Sequence, residues 1–342
     1  MMMESRFSTS ETISAKVCPI YLKLKFQQAK RRQETLVIQR QKRDEEITKR
    51  RNIDNNESTV DMEVESKKSW PYTPNSEAYE LATSMMYSEW LLEVPENIDD
   101  WIAVLCPEGK RCCVIAQDNK TKAVNKKGTS INFFPSLFPY GCHKPSNSPS
   151  HRKRTVLDCI YNFKLKKYFV LDVIEWMGVP YTNFDAEFRF YFIQSKLAEL
   201  PGIDQKSVKN NYPFELAPRM LAKDCYPLLL EKSEFFTDGI QLDGINFYYP
   251  ESLYTPGDTP LVLWLKPFMI PEILQKPVND QLLQLPYNYV NIFEYIQSPE
   301  KKIKKFRKKR TSCNSDKMDV DNLVEVEVQK ELTSEQGMSV EN

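Results

Sequence analysis

Residues 155 to 176, TVLDCIYNFKLKKYFVLDVIEW, hold two apolar runs with turn residues between them. TVLDCIY (155–161) and KYFVLDVIEW (167–176) are β-branched and aromatic, the side chains that suit a pleated, half-buried surface. The same character returns on both sides, in WIAVLC (101–106), RCCVIA (111–116), FRFYFIQS (188–195), GINFYY (244–249) and PLVLWLKP (260–267). Each is expected to be a strand. Upstream, SEAYELATSMMYSEWLL (76–92) predicts a short amphipathic helix closed by Trp90. The pattern predicts an α+β core over 73–298, mainly antiparallel.

At 342 residues the chain can hold one large domain or two small ones, with tails. Formal net charge is zero, but the charge is unevenly placed. The eight Cys include no CxxC pair, and the two His are His143 and His151. That pattern speaks against a zinc site and against His-based acid/base chemistry in the core. Neither a metal nor a cofactor is expected. Scattered Cys without a signal peptide suit a reducing interior, cytosol or nucleus. No run of 18 apolar residues occurs, so no membrane span is expected.

The most uneven stretch is KVCPIYLKLKFQQAKRRQETLVIQRQKRDEEITKRR (16–51), with twelve Lys/Arg against four acids. A helix is expected from about 27 to 51. At about 100° per residue, Arg31, Lys42 and Lys49 fall on one line and Arg32, Arg43 and Arg50 on the next. Ala29, Leu36 and Ile47 give only a thin apolar stripe. Such a helix is expected to stand apart from its own core and to order on an acidic partner. The resulting division is a polar tail (1–15), a basic helical segment (16–52), an acidic linker (53–72), the core (73–298) and a charged tail (299–342). Within the last, KKIKKFRKKR (301–310) reads as a localisation signal, an RNA-backbone contact or a solvated tail. The first reads as a disordered tail, although Met3, Phe7 and Ile13, with Val17 just beyond it, have a spacing also compatible with an export-type signal.

Three patterns in the core could touch a nucleotide. Cys106-Pro-Glu-Gly109-Lys110-Arg111 is a turn offering backbone N–H groups and two cations to phosphate oxygens, though such turns also serve as plain hairpin connections. Asn125-Lys126-Lys127-Gly128 is a second basic turn with the same two readings. In Thr259-Pro-Leu-Val-Leu-Trp264-Leu-Lys266-Pro267, inward Leu263 and Leu265 would turn Trp264 outward, where a base could stack on it or a loop could cover it. A base made cationic by methylation would gain further from the ring face.

SEWLLEVPENIDDWIAVLCPEGKR (88–111), TVLDCIYNFKLKKYFVLDVIEWMG (155–178), FRFYFIQSKL (188–197) and DGINFYYPESLYTPGDTPLVLWLKPFM (243–269) closely resemble the snurportin family, over most of residues 76 to 275. Its members are nuclear import adaptors for spliceosomal U snRNPs, and the basic arm resembles their importin-β-binding domain. The blocks are also distantly similar to mRNA guanylyltransferases and ATP-dependent ligases. That likeness implies a mainly antiparallel two-sheet nucleotidyltransferase fold preceded by an isolated basic helix. In those enzymes the first core strand leads into K-x-D-G-x-R, whose Lys takes up the nucleotide covalently. Here Cys106 stands in the nucleophile's place, Ile160 replaces a Glu, and Trp264 replaces one Lys of a K-x-K motif. Asp243-Gly244-Ile-Asn-Phe247 keeps the D-G-x-x-F form.

Carried onto this chain, the resemblance implies a non-enzymatic adaptor without catalytic residues. A 2,2,7-trimethylguanosine cap would stack on Trp264, with Trp90 and Ser88 lining the base, Gly109, Lys110 and Arg111 at the cap-contacting turn and Lys126 at the triphosphate. Importin-β would engage Lys30, Arg31, Arg32, Arg40, Lys42, Arg43, Lys49, Arg50 and Arg51. The implied partners are trimethylguanosine-capped U snRNA or snRNP, importin-β and a recycling exportin, without membrane or DNA. The implied localisation is shuttling between nucleus and cytoplasm. The alternatives are an active guanylyltransferase, against which Cys106 counts, and an importin-α-like carrier, for which the 40-to-47-residue helical repeat is lacking.

Overall fold

The computed structural model describes residues 19–55, 76–142, 153–232, 234–236, 239–287 and 289–297. The 1–15 tail, most of the acidic linker, His143, His151 and the 301–310 cluster lie outside the described residues. The chain divides into two units, with the boundary after Asn288.

The apolar runs at 155–161 and 167–176 form β6 (Arg154–Asn162) and β7 (Lys167–Trp176), an antiparallel pair closed by Asn162 opposite Lys167. The turn is set by Asn162, whose Oδ1 accepts from Leu165 N at 3.0 Å, and by Lys166 at φ 53°. These strands are central to a sheet ordered β5 (Ser130–Phe134), β4 (Lys120–Val124), β3 (Lys110–Gln117), β6, β7, β8 (Val179–Pro180), with β9 (Phe214–Leu216) also paired to β7. A second sheet runs β1 (Met86–Trp90), β12 (Gly257–Leu265), β11 (Leu242–Tyr248), β2 (Ile102–Pro107), β10 (Arg219–Leu221). Among the described residues the pairings are antiparallel except β1 with β12 and β7 with β9. The first sheet buries one face in a cluster built on Leu157, Cys159, Tyr161, Tyr168 and Phe214, where Tyr168 stacks on Phe214 at 4.8 Å.

A buried polar knot fastens the two sheets. Arg111 of β3 donates through Nε and Nη2 to both oxygens of Asp158 on β6, and Nη2 also donates to the Met86 carbonyl of β1 at 2.6 Å. Tyr254 donates to Asp158 at 2.9 Å and accepts from Met86 N at 3.2 Å. Burial opposes the guanidinium charge of Arg111, but Asp158 outweighs it and holds its pKa above the ordinary value.

Two segments of the core depart from the sequence-based expectation. The helix expected over 76–92 ends early: α2 spans Ser76–Thr83, and Met86–Trp90 becomes strand β1. Pairing with β12 overrides helical spacing here, because it buries Met85 and Met86 completely. FRFYFIQS, expected as a strand, is part of helix α3 (Ala186–Ala198). Its F-R-F-Y-F alternation conceals a helical face of Ala186, Arg189, Phe190 and Ile193, and Asp185 caps it by accepting from Phe188 N. Arg189 is fully buried in a two-pronged pair with Asp172 of β7. Helix α4 (Ala222–Glu231) carries Pro227, and α5 (Ile270–Ile273) follows β12.

The basic segment forms α1 (Pro19–Asn55), longer at both ends than expected and reaching into the segment read as linker. It does not stand apart. Gln28, only 1% exposed, donates to Glu89 Oε2 and the Trp90 carbonyl and accepts from Leu92 N and Glu93 N. Gln39 accepts from Leu253 N, and Ala29 and Leu36 share a groove with Trp101, Tyr249 and Leu261. Buried amides, rather than apolar area, make the docking possible. Hydrogen bonds to strand-end groups that would otherwise lose water compensate for the thin apolar stripe.

The second unit has α6 (Ile292–Gln297), capped by Asn291, whose Oδ1 accepts from Glu294 N at 2.9 Å.

Candidate functional site

Strand register sets the floor of the site. Trp90, Trp264, Asn246 and Val104 are successive cross-strand partners over β1, β12, β11 and β2, so their side chains share one face. Gly244 and Cys106 form the next row on that face. Leu263 and Leu265 point the other way and are fully buried, leaving Trp264 half-buried as the spacing predicts. The indole lies against Gly244: a Cβ built there would meet Trp264 Cζ2 at 2.3 Å. Lys266 stands 5.8 Å from the same ring and pairs with Asp243.

Cys106 is buried beneath this floor. Its Sγ accepts from Asn246 Nδ2 at 3.5 Å, and burial pushes its pKa up to about 12. At neutral pH it is a protonated thiol, unsuited to attack a phosphoryl group.

At the mouth, Gly109 is required because a Cβ would lie 2.6 Å from Ile160 Cγ2. Lys110 is exposed at the start of β3, while Arg111 turns inward to Asp158 and Met86. Lys126 stands exposed on the β4–β5 turn, shaped by Asn125 Oδ1 accepting from Lys127 N and Thr129 N. Tyr87 ties this turn to β1: its ring centroid is 5.9 Å from Lys126 Nζ and 5.2 Å from Arg111 Cζ. Ser88 is half-buried next to Tyr87, with a bulge before Glu89. Ser88, Trp90, Lys126 and Arg111 are therefore linked through one strand. Tyr87 and Asn246 escaped the sequence reading. Treating 86–90 as a strand would have found the first, and following GINFYY by alternation the second.

Helix α1 covers the opposite face of this sheet, where Leu261 lies. Arg31 pairs with Glu89, Arg32 is 8% exposed with Glu93 at 4.0 Å, and Arg40 lies 3.8 Å from Glu251. Lys30, Lys42 and Arg51 are exposed and Arg43 half-buried. Lys49 and Arg50 lie on the helix, but their side chains fall outside the described residues.

A half-buried aromatic floor thus lies above an inert thiol, with a long cationic helix on the reverse of the same sheet. The family model described as Snurportin1, m3G cap-binding domain, matches residues 84–267, and the Importin beta binding domain model matches residues 23–98. The chain belongs to the snurportin family.

Solved structures with similar folds include a chain titled Pmar-Lig_PreS3, with 13% identity, a TM-score of 0.38 and coverage of 54% of this chain and 46% of that one. The ligase domain of M. tuberculosis LigD gives 11%, 0.34, 54% and 59%. The ATP-dependent DNA ligase from bacteriophage T7 in complex with ATP gives 10%, 0.37, 54% and 69%. The chain thus spans about half of the first and under two thirds of the second. Likeness at this level says nothing of chemistry.

Proposed function

We propose that the Trp264 face is where the trimethylguanosine cap is held, the methylated base stacking on Trp264 with Trp90 beside it. The observation that carries this is the register pairing of Trp90 with Trp264 on one half-buried face. Adjacent strands lie about 4.8 Å apart, so the two indoles rise from neighbouring positions of one floor. Such a floor suits a base whose exocyclic nitrogen has lost its donors, and its ring faces attract the base's positive charge. Ser88 lies on the same strand as Trp90. Gly109 and Lys110 offer backbone N–H and a cation at the mouth, and Lys126, brought to β1 by Tyr87, serves the triphosphate. Arg111 acts through position, holding β1 against β3.

No covalent step is proposed, because a buried thiol with a pKa near 12 occupies the place of the nucleophile. Importin-β takes the basic ridge of α1. Part of that ridge now pairs with Glu89, Glu93 and Glu251, and an acidic solenoid would replace those carboxylates. An exportin would return the emptied adaptor, giving a protein that shuttles between cytoplasm and nucleus. Titration with trimethylated and monomethylated cap analogues tests the reading. Preference for the trimethylated form is expected, and equal affinity would overturn it. Incubation with labelled GTP and magnesium is expected to leave no adduct on a denaturing gel.

A further inference from the structure

The seven-stranded sheet carries a second basic and aromatic feature that the cap site does not use. On β4 and β5, Lys122 lies between Ile115 of β3 and Phe133 of β5 as a cross-strand partner of both. Alternation along β3 puts Ile115 on the face that also carries Arg111. Lys120, Lys122 and Phe133 thus extend the Arg111 face outward to the sheet edge. Phe133 is 63% exposed there, and Lys120 Nζ stands 5.6 Å from its ring centroid. Lys126, at the tip of the same hairpin, begins the strip. Among the described residues none of Lys120, Lys122 and Lys126 is ion-paired. The acid nearest in sequence, Asp118, sits in the preceding turn at φ 51°.

Phe133 contributes little burial to the fold, and it stands on an uncovered edge strand beside two cations. Flanked by two lysines, it is suited to single-stranded nucleic acid, where bases stack on aromatic faces and cations follow the phosphates. We infer that the β4–β5 hairpin is a docking strip for the first nucleotides after the cap: Lys122 and Lys120 take backbone phosphates and Phe133 stacks a base. The inference rests on the cap reading, since the strip continues from the lysine assigned to the cap triphosphate. It gives the adaptor affinity for an RNA 5′ end beyond the cap itself, without reading its sequence.

The test uses the full chain and two probes: a trimethylguanosine cap dinucleotide, and a single-stranded RNA of about ten nucleotides bearing the same cap, a length typical of such grooves. The oligonucleotide is expected to bind about tenfold tighter, and Phe133→Ala to remove most of that gain while dinucleotide binding is unchanged. Replacing Lys120 and Lys122 together by Ala should lower the log–log salt slope for the oligonucleotide by about 1.4, two single-strand phosphate contacts. Equal binding of both probes to the wild type sinks the strip and leaves the cap site standing. A gain that survives all three substitutions also overturns it. Should those substitutions instead reduce capture of snRNP proteins with RNA binding unaltered, the surface belongs to a protein partner and the inference fails. Loss of both probes by the wild type would refute the cap reading instead.

Discussion

Trp264 can serve as a platform because Gly244 has no side chain. A methyl group at position 244 would sit 2.3 Å from the indole and 2.6 Å from the Leu265 carbonyl oxygen, so the ring would have to leave its place. Trp264→Ala is expected to lose about 1–3 kcal/mol of cap affinity in a fluorescence titration. Gly244→Ala should lose a similar amount although it removes no contact group, and the double variant should be no worse than either single one. Additive losses would mean that Gly244 does not act through the indole. At the other end of the cleft, Asp158 is fully buried and accepts from Arg111 and Tyr254. Asp158→Asn leaves a largely buried guanidinium without its counter-charge and should cost up to about 3 kcal/mol in urea unfolding. A loss below about 1 kcal/mol would show that the knot is no fastener.

Among the elements, α1 does what its composition does not suggest. Its basic ridge is solvated over much of its length, yet Gln28, Arg32 and Gln39 are buried against the five-stranded sheet. Deleting residues 1–52 is expected to abolish importin-β pull-down. It should also uncover Trp101, Tyr249 and Leu261, and lower the core's melting temperature by about 2–4 °C for each kcal/mol lost. An unchanged melting temperature would mean that the helix contributes nothing to the core. Because α1 lies on the reverse of the sheet from Trp264, cap binding by the truncated chain should persist. Strand β1 is the other informative element. It holds Trp90 beside Trp264, and through Tyr87 it gathers Arg111 and the Lys126 turn.

For the molecule as a whole, buried thiols set a pH limit. Burial pushes Cys106 and Cys225 up to about 12, against an ordinary 9.0. Raised in the folded state, these groups contribute stability that is fully present below their unfolded pKa and is lost as pH climbs through the folded one. Melting temperature should therefore hold steady from about pH 6.5 to 8.5 and fall above about pH 9, with serine at both positions softening the fall. Indifference up to pH 11 would contradict that burial. By itself the sequence determined the strands at 101–106, 111–116, 155–161, 167–176, 244–249 and 260–267, and the outward turn of Trp264. Period-2 patterning and residue chemistry are local, and they survive into the fold. Only the tertiary structure decided that 86–90 is a strand, that 188–195 is a helix and that the basic arm lies on the core. Each of those outcomes depends on a partner distant in the chain: Gly257–Leu265 for β1, Asp172 for Arg189, and Glu89 with the Trp90 carbonyl for Gln28. A local pattern cannot register a hydrogen bond or a buried surface supplied from so far away.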